Sequence, residues 1–119
     1  AGHAGLFGIV SEVATLGREI VAPDRLGLKT AARQRLLEPA GGRGGRTFGF
    51  VIANESDAAR GVLPDGSPGH AGFTGTSLWL DPDRQLVAVL LCNRVHPEVR
   101  QIDFQPERLA FHRLAAGLA

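Results

Sequence analysis

Four serines, four histidines and one cysteine are the side chains with types suited to nucleophilic or general-base chemistry. A hydroxyl becomes a useful nucleophile only beside a base that can take its proton, and no serine here has such a neighbour visible in the sequence. Ser77 and His70 lie seven residues apart in what reads as one extended strand, which puts them on opposite faces and roughly 23 Å apart. Cys92 sits at the end of an apolar run and reads as a small core residue rather than a nucleophile. The histidines, His3, His70, His96 and His112, lack metal-ligand spacing and a cysteine pair, so neither a zinc site nor any other cofactor is expected. The glycines carry a separate signal. Gly72 and Gly75 flank Phe73-Thr74 in the stretch Gly69 to Leu80, and glycine inside a strand pattern marks a bulge or a close approach by another backbone or a ligand. A bent edge strand with no ligand is the plain alternative.

The surrounding elements must hold that stretch. Asp81-Pro82-Asp83 reads as a turn, because proline fixes φ and aspartate side chains bond nearby N–H groups. Leu86 to Leu91 is apolar at every position and is predicted to be an antiparallel partner strand covered on both faces. Phe48 to Ala53 is predicted to be a third strand, and Glu55 to Pro68 a long polar loop. Upstream, Ser11 reads as an N-cap with Glu12 in the first turn. Val13, Leu16, Ile20 and Val21 follow at helical spacing up to Pro23. Gly17 within this helix costs about 1 kcal/mol relative to alanine and points to close packing. Thr30 to Leu37 forms a second helix with Arg33 and Arg35 outward. Pro106 and Glu107 open a terminal helix whose apolar face is Phe111, Leu114, Ala115 and Leu118. The fold class is therefore α+β, an antiparallel sheet with packed helices. Residues 1–40 form a helical segment, and 47–119 carry the sheet, hairpin and last helix.

At 119 residues the chain is one domain or part of one. A net charge of +1 leaves no basic excess for nucleic acid, and no apolar run approaches a membrane span. The loop Ala40 to Arg46 matches neither a Walker pattern nor a complete G-x-G-x-x-G, and no aromatics interleave with its arginines, so it reads as a connector. Cys92 alone selects no redox compartment.

Three segments together carry a resemblance. Gly69-His70-Ala71-Gly72-Phe73-Thr74-Gly75-Thr76-Ser77-Leu78-Trp79-Leu80-Asp81-Pro82, the run Leu86 to Pro97, and the leading Ala1 to Gly8 resemble the C-terminal part of the serine β-lactamase and penicillin-binding-protein superfamily. The similarity is greatest to the class C-like β-lactamases, esterases and D-aminopeptidases. The resemblance implies that His70-Ala71-Gly72 is the variant form of that family's Lys-Thr-Gly triplet. It also implies that the Phe73 backbone N–H forms half of an oxyanion hole. His70, Ala71, Gly72, Thr74 and Asn93 would border the substrate, with His70 bonding the general base or a substrate carboxylate. Ala71 lacks the triplet's hydroxyl, which favours an ester or peptide substrate over a β-lactam. Histidine, unlike lysine, changes charge near neutral pH, so the implied activity depends on protonation. His3 reads as structural.

The same resemblance exposes what this chain lacks. The family's nucleophile belongs to a Ser-x-x-Lys motif, whereas the only lysine is Lys29 and the residue three before it is Leu26. The chain contains no Tyr to serve as the second motif's base. It is therefore expected to be the C-terminal segment of a serine hydrolase, inactive alone, completed by a missing N-terminal segment or associating with itself, and acting on a small-molecule or peptide substrate. Periplasmic or secreted placement is compatible with the resemblance. The alternative in another class is a non-catalytic module that binds peptide or cell-wall fragments.

Overall fold

The structure, a computed structural model, describes residues 5–22, 27–40, 45–99 and 102–117. His3, Pro23, Leu26, the loop centre at 41–44 and Leu118 lie outside the described residues.

Helix α1 spans Val10–Val21 and α2 spans Thr30–Leu37. Strands β1 (Val51–Ile52), β2 (Pro68–Ala71), β3 (Ser77–Asp81) and β4 (Leu86–Leu90) form one antiparallel sheet in sequential order. Helix α3, Gln105–Gly117, closes the fold. The fold is α+β, as expected from the sequence.

The predicted stretch from Gly69 to Leu80 is not one strand. It folds back at Gly72–Thr76, so that Ala71 pairs with Ser77 and Gly69 with Trp79. Gly75 adopts φ 105°, a conformation that residues with a Cβ rarely take, and a Cβ there would stand 2.4 Å from Cys92 Sγ. The stretch has the composition of a strand but contains a turn that needs this glycine. His70 and Ser77 are consequently close along the sheet, not extended apart. They still point to opposite faces, because His70 is opposite Leu78 rather than Ser77.

Alternation along β3 and β4 splits the interior in two. Leu80, with Leu78 and Val87, packs against Ile20 and Val21 of α1. Trp79 faces the other way, against Ala53, Ala58, Ala59 and Leu63. The predicted loop 55–68 is thus part of the core, folded through turns that bury its small apolar residues. The turn after β3 follows its predicted chemistry: Asp81 Oδ1 accepts from the Arg84 N–H at 3.2 Å. Arg84 adds a 2.6 Å ion pair to Asp81 and donates to the Ala116 carbonyl at 2.9 Å, fastening the end of α3.

Other expectations are corrected. The N-cap of α1 is Ile9, not Ser11; Glu12 accepts the Ile9 N–H at 3.2 Å, so the first-turn carboxylate satisfies a free helix donor. Arg33 is half-buried, not outward, because it donates to the Ile20 and Val21 carbonyls at the end of α1, where a cation is stabilised. Only Val51–Ile52 of the predicted third strand is extended, since Ala53–Glu55 turns into a 3-10 segment. On α3, Leu114 is 72% exposed, whereas Arg108 and His112 are buried. The inward face of that helix is polar because the hairpin offers it carbonyls and a hydroxyl.

Candidate functional site

His70 is exposed on β2, and the chain turns two residues later at Gly72. Ala71 is half-buried against the Trp79 core. Phe73 lies at the tip, 68% exposed. Each backbone group of residues 72–75 can be followed individually. The Gly72 N–H donates to the Thr76 carbonyl at 2.8 Å, and the Gly75 N–H donates to the Gly72 carbonyl at 3.1 Å. The carbonyls are all occupied. Gly72 O also accepts from Arg108 Nη2, and Phe73 O accepts from Arg94 Nε at 2.8 Å. Thr74 O accepts from the Arg94 N–H at 2.9 Å and Gly75 O from Arg108 Nε at 3.1 Å. The N–H groups of Phe73 and Thr74 have no acceptor among the described residues.

The turn is thus asymmetric, with every carbonyl tied down and two adjacent N–H donors unspent. Arg94 also lies over the Phe73 ring, 4.8 Å from its centroid, and donates to the Ile102 carbonyl at 3.3 Å. Arg108 is buried, extends Nη1 to Gln105 Oε1 at 2.8 Å, and stands 5.6 Å from the centroid of the Phe104 ring. Burial lowers the Arg108 pKa from its ordinary value. Cys92 reaches toward Thr74 O at 3.7 Å, and burial pushes its thiol pKa up against the pull of Arg108 and Arg94. A thiol held protonated is a poor nucleophile, in keeping with its reading as a packing residue. Asn93, between Cys92 and Arg94, is exposed, and its Oδ1 accepts the Val95 N–H at 3.2 Å.

One serine does have a base beside it. Ser77 Oγ lies 2.8 Å from His112 Nε2, across 35 residues of sequence. The pair resembles a nucleophile with its base, yet Ser77 is 5% and His112 0% exposed, so a substrate has no access. His112 Nδ1 has no partner among the described residues to orient the ring, as a catalytic dyad would require. This is a packing contact, with Trp79 at 6.5 Å and Phe111 at 5.1 Å edge-on to the imidazole.

Sequence reasoning singled out neither Arg94 nor Arg108 as a site residue. Their signal was an arginine between two phenylalanines, Phe104 and Phe111, and another directly after Asn93, which has no meaning until the turn is known. Among the described residues there is no group of histidine, cysteine and acidic side chains fit to hold a metal ion, and no helix is long and apolar enough to cross a membrane.

Backbone N–H groups without an acceptor can donate to an electron-rich group. The chain belongs to the beta-lactamase family: the family model described as Beta-lactamase matches residues 1–111. It is accordingly a member of the serine β-lactamase and penicillin-binding-protein superfamily. No curated protein and no solved structure matches it.

Proposed function

We propose that this chain supplies one wall of a serine hydrolase active site, as the C-terminal portion of a class C-like member of the family. In this reading His70-Ala71-Gly72 is the His-x-Gly element and the Phe73 N–H is half of the oxyanion hole. In the reaction a serine attacks the carbonyl of an ester, amide or β-lactam, the C–O or C–N bond breaks to give an alcohol or amine, and water then hydrolyses the acyl-enzyme.

The observation that carries the reading is the unspent Phe73 N–H beside carbonyls that are all occupied. When a carbonyl is attacked, negative charge grows on its oxygen, and a fixed N–H that meets that charge lowers the barrier by roughly 3–4 kcal/mol. The donor belongs to the backbone, so the Phe73 side chain is free to face solvent. His70, exposed just before the turn, is placed to bond a base or a substrate carboxylate. Thr74 and Asn93 border the same turn, and Thr74 adds a second free N–H. The nucleophile and its base come from a Ser-x-x-Lys and a tyrosine motif outside these 119 residues.

The test has two parts. The chain alone should hydrolyse a nitrophenyl ester or nitrocefin no faster than buffer; turnover well above buffer sinks the reading. Joined to a segment bearing the serine and tyrosine motifs, F73A should keep most of the activity, whereas F73P, which deletes the N–H, should lower kcat by roughly 100- to 1,000-fold. Equal activity of the two variants would remove Phe73 from the oxyanion hole.

A further inference from the structure

The carbonyls of residues 72–75 are held from two separate elements, Arg94 after β4 and Arg108 on α3. A trans peptide unit is planar, with its C=O and its N–H pointing in opposite directions. Fixing the Gly72 carbonyl therefore fixes the direction of the Phe73 N–H, and fixing the Phe73 carbonyl fixes that of the Thr74 N–H. Arg108 grips the first of these carbonyls and Arg94 the second. Arg108 bridges Gly72 O and Gly75 O with one planar fork, which prevents the turn from rotating about either peptide alone. A guanidinium on a carbonyl also polarises that peptide, which strengthens the N–H on its far side as a donor.

We propose that Arg108 and Arg94 are positioning residues for two adjacent anion-facing amides, Arg108 for the Phe73 N–H and Arg94 for the Thr74 N–H. The proposal rests on the reading of this turn as an oxyanion wall, and it adds a division of labour between the two arginines that the reading does not contain. Neither arginine touches the bound group. Each acts through the peptide plane behind the donor.

The experiment uses the isotope-labelled 119-residue chain and its R108K and R94A variants, with sodium acetate as the anion probe. Residual dipolar couplings of the Phe73 and Thr74 N–H vectors report their directions, acetate titration reports their use as donors, and the amides of the β3–β4 ladder report the fold. Replacing Arg108 by lysine keeps the charge but not the fork, and should turn the Phe73 vector and reduce its acetate-induced shift roughly threefold or more while Thr74 responds as before. R94A should do the reverse. Arg94 is half-buried rather than buried, so this variant alone decides the matter if R108K does not fold. A purely structural role would loosen both amides alike, and equal losses at Phe73 and Thr74 in either variant overturn the proposal. So do couplings unchanged from wild type. Couplings that move as expected in a chain whose wild-type amides ignore acetate would uphold the clamp and overturn the oxyanion reading, so the two failures are distinguishable.

Discussion

His112 is the residue with the clearest dependence on solution conditions. Burial, and then the positive charge of Arg108 one helical turn away, lower its pKa from 6.5 to about 4. The native site refuses a proton that the unfolded chain accepts. Stability from this residue is therefore complete above about pH 6.5 and is lost as pH falls toward about 4, below which both states carry the proton. The gap corresponds to about 3 kcal/mol. Glutamine can keep a bond to Ser77 without titrating, so H112Q should melt with a flatter pH dependence between pH 7 and 4.5. A variant with the slope of wild type would assign the acid sensitivity to other groups. This pair was not legible in the sequence, because a serine and a histidine 35 positions apart carry no local sign of contact. Arg94 and Arg108 were hidden for the same reason, as the turn carbonyls that their side chains bond lie 21 to 36 residues away.

Among elements, the contact of α1 with the sheet is set by Gly17. A Cβ there would stand 2.5 Å from Val87 Cγ1 and 3.2 Å from Leu80 Cδ2. Alanine improves helix propensity by about 1 kcal/mol, but overpacking costs about 1–3 kcal/mol. G17A should thus lower stability in urea unfolding, and V87A should relieve part of that loss in the double variant. Additive effects of the two substitutions would separate Gly17 from β4. The glycine was readable as a sign of close packing, and the end of α2 before Glu38-Pro39 and the Asp81-Pro82-Asp83 turn were read correctly because proline and aspartate act locally. The break at Gly72–Thr76 was missed since Gly-Phe-Thr-Gly-Thr has strand-like composition, and the contacts that fold it back come from later elements. The candidate residues His70, Ala71, Gly72, Phe73 and Thr74 border that break, and its geometry, with Ala71 paired to Ser77, could not be read from the sequence.

For the whole molecule, the sheet ends on β4, which pairs only with β3 among the described residues. Such an edge presents unpaired N–H and C=O groups to any compatible strand. Leu91, at its end, is 39% exposed, and Leu6, Phe7 and Ile9 before α1 are exposed as well. The chain by itself is expected to associate, with a sedimentation coefficient that rises with concentration, and L91K should shift it toward monomer, as lysine on an edge does elsewhere. A monomer at all concentrations with one cooperative melt would argue that these 119 residues are self-sufficient, against the proposed completion by a further segment.

The clamp on the hairpin also has a consequence for the order of synthesis. Gly72 to Gly75 are synthesised before either arginine, and at roughly 5–20 residues per second Arg108 follows Gly75 by about 2–7 seconds. Until then the Gly72 and Gly75 carbonyls lack the side chain that holds them. The turn is thus fastened last, when α3 docks, and a chain stopped before Arg108 would hold a sheet whose Gly72 and Gly75 carbonyls lack their guanidinium partner.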